Sequence, residues 1–217
     1  MRHVPKLKPA EVEHRRREII DAARRCFLRR GFHQATTDEI CREAAITPGG
    51  LYHYFKSKQD LIQAVVRDSA EQWIREVRST AETSPGPRSA LQRLGALVAQ
   101  TIQSPEFHDN ARLELLIWSE CMRSEELSKI LETGRTAVHD ALAEIIDGAV
   151  KTGEYSDRID PAGLADLLMG VRTGLQVNKL LAPRSTDPPS AMNALAALIR
   201  GELLASNAAR QRRLLRQ

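Results

Sequence analysis

Residues 19–61, reading IIDAARRCFLRRGFHQATTDEICREAAITPGGLYHYFKSKQDL, limit the possible folds more than any other part of the chain, because a helical pattern stops and restarts there three times. Ile19, Ala23, Cys26 and Phe27 fall at i, i+4, i+7 and i+8, one apolar face of a helix over about residues 16–30. Gly31 followed by Phe32 reads as its stop: a left-handed glycine, then an apolar residue that folds back. Thr36 with Glu39 three residues later is a capping box that opens a second helix, with Ile40 and Ala44 toward its core. Ala45 and Ile46 make a tight turn. Thr47 is a second cap, and Pro48 occupies the first helical position, where a missing N–H is harmless. In the short third helix, about 48–55, Leu51 and Phe55 point inward while Tyr52 and His53 point away. Ser57 caps a fourth helix. A surface of Thr, Gly, Tyr, His and Lys therefore sits where the second helix turns into the third, as a helix-turn-helix requires if it is to set a helix end against DNA.

These residues resemble the N-terminal domain of the tetracycline-repressor (TetR) family of bacterial transcription regulators. The match runs in order and spacing through Ala22-Ala23, Phe27, Gly31-Phe32, Thr36-Thr37, Ile40, Ala44-Ala45-Ile46-Thr47, Gly50-Leu51-Tyr52, Phe55, Lys58 and Leu61. The remainder of the chain is similar only in length, helicity and general pattern. The family usually has glycine where Ala45 stands; a left-handed alanine there adds strain of roughly 1 kcal/mol. The resemblance implies that the third helix enters the major groove of DNA. It places Thr47, Pro48, Gly49, Gly50, Tyr52, His53 and Tyr54 on the DNA-facing surface, with Thr36, Thr37 and Lys58 at the phosphate backbone. Helix N-termini, hydroxyls and a lysine suit phosphate oxygens without reading sequence. Pro48, Gly49 and Gly50 carry almost no side-chain donors, so base reading is expected to use thymine methyls, Thr47 and DNA shape. Taken singly, Tyr52 and Tyr54 also read as core aromatics, and His53 as a surface histidine. The Arg face of the first helix reads as solvated.

Charge sorts by segment. Residues 1–60 hold 13 Lys and Arg against 8 Asp and Glu, net +5; residues 61–207 are net −5; residues 208–217 are net +4. Basic charge at the segment with the DNA-binding pattern supplies affinity that falls with salt. The first fifteen residues cannot pack a core and read as a tail, with a minor-groove arm as the alternative.

Beyond Leu61 the chain reads as helical throughout. The fourth helix runs to about Thr80, Ser84-Pro85-Gly86-Pro87 breaks the chain, and helices follow over about 89–103, 106–123, 124–152, 160–182 and 190–208. The expected fold is thus all-α, about nine helices: a three-helix DNA-binding module (residues 1–60) and a larger helical domain for effector binding and dimerisation (residues 61–217). The last two helices mix leucines with small residues that let axes approach, and one run is apolar nearly all round. That reads either as a helix in its own core or as a subunit interface. The resemblance favours a homodimer through Gly170, Gly174, Ala194, Leu195, Ala197, Leu198, Gly201 and Ala205. A two-fold dimer implies a palindromic operator with half-sites roughly 34–36 Å apart, or a multiple of that. The family also implies a small-molecule effector, for which Trp118, Cys121, Met122, Met169 and Arg172 are the candidates. Each of these residues fits a plain core equally well.

Other functions find less support. No P-loop, dinucleotide fingerprint, HExxH or G-x-S-x-G occurs, so neither catalysis nor a cofactor is expected. A ligand- or protein-binding helical dimer without DNA is countered by the surface from Thr47 to Lys58. Repression and activation share the same residues, repression being the default. Cys26, Cys41 and Cys121 have no framework spacing and fit reduced thiols in a cytoplasm. No apolar run is long enough to span a bilayer.

Overall fold

The computed structural model describes residues 8–82, 96, 98, 101–102 and 104–199. Eight helices are described: α1 (Pro9–Gln34), α2 (Thr37–Glu43), α3 (Pro48–Tyr54), α4 (Lys58–Glu82), α5 (Phe107–Cys121), α6 (Glu125–Lys151), α7 (Pro161–Leu181) and α8 (Pro188–Ile199). No strand occurs among the described residues. The break at Ser84–Pro87, most of the helix expected over 89–103, and the chain beyond Ile199 lie outside them.

Helix α1 starts earlier than the apolar period indicates. Pro9 takes the first helical position and the Glu11 carboxylate accepts the Lys8 N–H at 2.9 Å, so a proline that looks like a breaker opens the helix. Residues 9–15 are therefore the start of a helix and not a tail, although none of residues 8–18 is buried. At the other end Gly31 has φ 76° and ψ 169°, a conformation essentially reserved for glycine, and Phe32 behind it is buried. The stop is therefore real, although ψ is not that of a left-handed helical residue; Phe32, His33 and Gln34 form one further turn past the kink.

The caps of the next elements fall where the sequence puts them. Thr36 Oγ1 accepts the Glu39 N–H at 3.2 Å while Glu39 accepts the Thr36 N–H at 3.0 Å. Thr47 Oγ1 accepts from Gly50 at 3.1 Å, Ser57 Oγ accepts from Asp60 at 3.0 Å, and Asp160 accepts from Ala162 and Gly163 at 3.2 Å each. Prolines 188 and 189 form the first turn of α8 instead of preceding it.

The described residues divide into two compact units. Among the described residues the first comprises 8–76 and 108–141, so packing does not part at residue 60. Its core joins Ile19, Ala23 and Phe27 of α1 and Leu51 of α3 to Leu61 and Val65 of α4. The same cluster continues through Leu113 and Ile117 of α5 to Leu127 of α6. The second unit comprises the described residues within 77–107 and 142–199; Ile146, Ala165, Met169 and Leu195 are buried in it. No helix among the described residues is long and apolar enough to cross a membrane.

Candidate nucleic-acid interface

The turn between α2 and α3 aims the candidate surface. Ile46 N–H donates to Cys41 O at 2.9 Å, which closes the end of α2, and Ala45 sits at φ 51°. Ala45 does adopt the left-handed conformation, so the strain that such an alanine carries is present. The turn redirects the chain so that Leu51 and Phe55 bury themselves in the core shared with α1 and α4, while Pro48, Gly49, Tyr52 and His53 face outward. Thr47, Pro48, Gly49, Tyr52 and His53 are exposed, Tyr52 by 52%; Gly50 is half-buried. Tyr54 is also half-buried, packed against the core, with its ring edge-to-face on His53 at 5.2 Å. One helix therefore carries an apolar side of large residues and an outer side of hydroxyls, an imidazole and bare backbone.

The glycines are not demanded by the fold. A Cβ on Gly49 would meet nothing within 4 Å, and one on Gly50 would make ordinary contacts with Thr47 Oγ1 at 3.4 Å and Ile46 Cβ at 3.7 Å. Each nevertheless weakens α3 by about 1 kcal/mol relative to alanine.

Caps modify one expectation. Pro48 has no N–H, and Thr47 takes that of Gly50, so the α3 terminus satisfies part of itself; at α2 the Thr36–Glu39 box does the same. Thr36 is exposed and Thr37 half-buried. Lys58 is less free than the sequence suggests: its ammonium donates to His33 O at 2.9 Å, and partial burial pulls its pKa down. The His33 ring meets Glu120 of α5 at 3.1 Å.

The arginine face of α1 is not simply solvated. Arg25 and Arg29 both pair with Glu43 of α2, at 2.6 and 2.7 Å, Arg30 pairs with Glu39 at 3.5 Å, and Arg24 pairs with Asp68 of α4 at 3.3 Å. Arg16 lies over the Phe55 ring at 5.2 Å. These charges dock α2 and α4 onto α1. Nothing in the periodicity of α1 alone could assign partners 14 and 18 residues away. The two arginine side chains, Arg25 first, hold the Glu43 carboxyl below the usual carboxylate range.

Of the candidate effector residues, Cys121 is buried and Trp118 partly buried in the first unit's core. Met122, expected to line a pocket with them, is 83% exposed because α5 has ended at Cys121. Met169 is buried, and Arg172 half-buried, in the second unit. Burial pushes the thiols of Cys26, Cys41 and Cys121 above their ordinary range, which keeps them protonated. Among the candidate interface residues Gly170, Gly174, Ala194 and Leu198 are exposed, Ala197 is half-buried, and Leu195 is buried within its own chain. Gly201 and Ala205 lie outside the described residues.

A basic three-helix head with a capped, outward-facing third helix, built into an all-helical chain, defines a DNA-binding transcription regulator of the helix-turn-helix class. The chain belongs to the tetR family of bacterial regulatory proteins. That family's model matches residues 19–65, and a model of the C-terminal domain of BetI-type transcriptional repressors matches residues 90–204. The HTH-type transcriptional regulator UidR of Escherichia coli K12 is 31% identical over 196 residues, covering 90% of this chain and 96% of that protein. A TetR-family regulator from Rhodococcus sp. superimposes with a TM-score of 0.73 at 25% identity, over 86% of this chain and 98% of that one. The regulator FadR from Bacillus subtilis, solved with stearoyl-CoA, gives a TM-score of 0.69 at 20% identity, over 85% of this chain and 98% of that one.

Proposed function

We propose that the chain is a homodimeric repressor that reads a palindromic operator with α3 and is released by a small-molecule effector. In this reading residues 1–60 are the DNA-binding segment and residues 61–217 the effector and dimerisation segment. The protein has no catalytic activity and works in the cytoplasm. One observation carries the DNA-facing assignment: Gly49 and Gly50 weaken the helix they occupy, although the chain has room for a Cβ at both. The space is kept for a partner. DNA backbone and thymine methyls fill it, with Thr36, Thr37, Thr47, Tyr52 and His53 as hydroxyl and imidazole contacts. Tyr54 adds a half-buried edge, and Lys58 contributes field from its place beside His33.

Effector release rests on the match to a repressor C-terminal model and on FadR of Bacillus subtilis having been solved with stearoyl-CoA. Trp118, Cys121, Met169 and Arg172 stay the candidates, and Met122 is a candidate only as a surface residue.

Gly50→Ala tests the reading, because stability and function should move in opposite directions. The melting temperature should hold or rise, while affinity for a duplex selected from a random pool should fall about tenfold, the size of one lost groove contact. Equal affinity in a gel-shift titration would remove the close-approach argument.

A further inference from the structure

Arg15 connects the first turns of α1 to the turn that launches α3. Ala45 holds φ 51°, a region that a residue with a Cβ disfavours. Its N–H donates to Arg42 O at 3.3 Å, and the next amide, Ile46, donates to Cys41 O at 2.9 Å. On the carbonyl side, Ala45 O accepts from Arg15 Nη2 at 3.1 Å, from a residue 30 positions earlier in the chain. The other arm of the same guanidinium, Nη1, donates to Glu18 Oε2 at 2.6 Å. Glu18 also meets His14 Nε2 at 3.4 Å. A rigid fork is therefore aimed from both ends: a carboxylate of its own helix holds one arm, and the other reaches the strained turn. The two elements face each other across a groove, with Ala10, His14 and Arg15 on one wall and Ile46, Thr47 and Tyr54 on the other. The seven-residue start of α1 that the apolar period misses supplies this tether.

We propose that Arg15 is a positioning residue for DNA reading: by holding the carbonyl of left-handed Ala45 it fixes the direction in which Thr47 and α3 leave the turn. It acts through the backbone of the turn and not by touching DNA. Glycine at position 45 would adopt the left-handed conformation unaided. The alanine makes an external tether useful, and so the two residues form one device.

The test is a double-mutant cycle on the full chain, using a duplex that the unmodified protein selects from a random pool. Arg15→Gln should bind about tenfold more weakly, as expected for loss of a charged hydrogen bond, with its salt slope unchanged. Ala45→Gly should bind as the parent does. The double variant should recover most of the lost affinity. Arg15→Lys keeps the charge but has no fork to span Glu18 and Ala45 O, so it should resemble Arg15→Gln and also be rescued by Ala45→Gly. This second variant carries the same cycle if Arg15→Gln does not fold. Full affinity in Arg15→Lys, or an unrescued loss with the salt slope reduced by about 0.9, would assign Arg15 to a phosphate and overturn the proposal. So would additive losses in the double variant, or a lowered melting temperature with unchanged affinity of the folded protein.

Discussion

At the scale of single residues, strain and charge mark the turn and its dock. Ala45 stands at φ 51° within the turn. Ala45→Gly removes a left-handed Cβ penalty of about 1 kcal/mol, part of which the greater freedom of glycine in the unfolded chain takes back. The substitution should raise the melting temperature measurably without altering the far-UV spectrum; a lower value would mean that neighbours, not the turn, set this φ. Glu43 makes a second case. Its carboxyl is held below the usual range by Arg25 and then Arg29. A depressed folded pKa contributes stability that is fully present above the unfolded value and is lost as pH falls through the folded one. The melting temperature of the parent should therefore drop more steeply than that of Glu43→Gln between about pH 5 and 3. The two curves should differ at neutrality and converge in acid. Parallel curves over that range would show that the pair of arginines adds nothing to folding.

At the scale of helices, α4 and α6 pack tightly at Gly134. A Cβ on Gly134 would lie 2.4 Å from Ala70 Cβ, too near for any real pair. Gly134 has no unusual backbone angle, so it is packing between the two helices that requires it there. Gly134→Ala should destabilise by about 1–3 kcal/mol, the usual range for an overfilled contact, and Ala70→Gly in the same chain should relieve much of that. Denaturant midpoints of the two single variants and the double decide it: a single variant as stable as the parent would mean that the helices separate freely. Starts and stops such as Thr36–Glu39, Thr47–Pro48 and Asp160–Pro161 were legible in the sequence, because a cap is a contact between residues two or three apart. The outward side of α3 was legible for the same reason, since Leu51 and Phe55 fix its rotation. What the sequence did not disclose is contact over long separations: Arg25 and Arg29 on Glu43, Arg24 on Asp68, Lys58 on His33 O, and Gly134 against Ala70. The start of α1 at Pro9 was missed for another reason. A helix whose first turns bury nothing has no apolar period to show.

At the scale of the whole molecule, an apolar stripe on the second unit calls for a partner. Leu167, Gly170, Gly174 and Leu181 recur at helical spacing along α7, all exposed, Leu181 by 75%. Ala194 and Leu198 repeat the pattern on α8, with Leu198 half-exposed. A Cβ on Gly170 or Gly174 would meet nothing within 4 Å, so neither glycine serves the packing of its own chain. In the proposed dimer, small residues flanked by leucines would let the helices of two copies approach closely and bury the leucines between them. Charge placed at Leu167 and Leu198 together should therefore split the proposed dimer without unfolding the monomer, because neither side chain is fully buried in its own chain. Leu167→Glu with Leu198→Glu should sediment as a monomer at micromolar concentration and keep the parent's helical signal. It should bind a full palindrome no better than a half-site, since each head must then dock alone. A double variant that still sediments as a dimer and still prefers the full palindrome would place the subunit contact on another face.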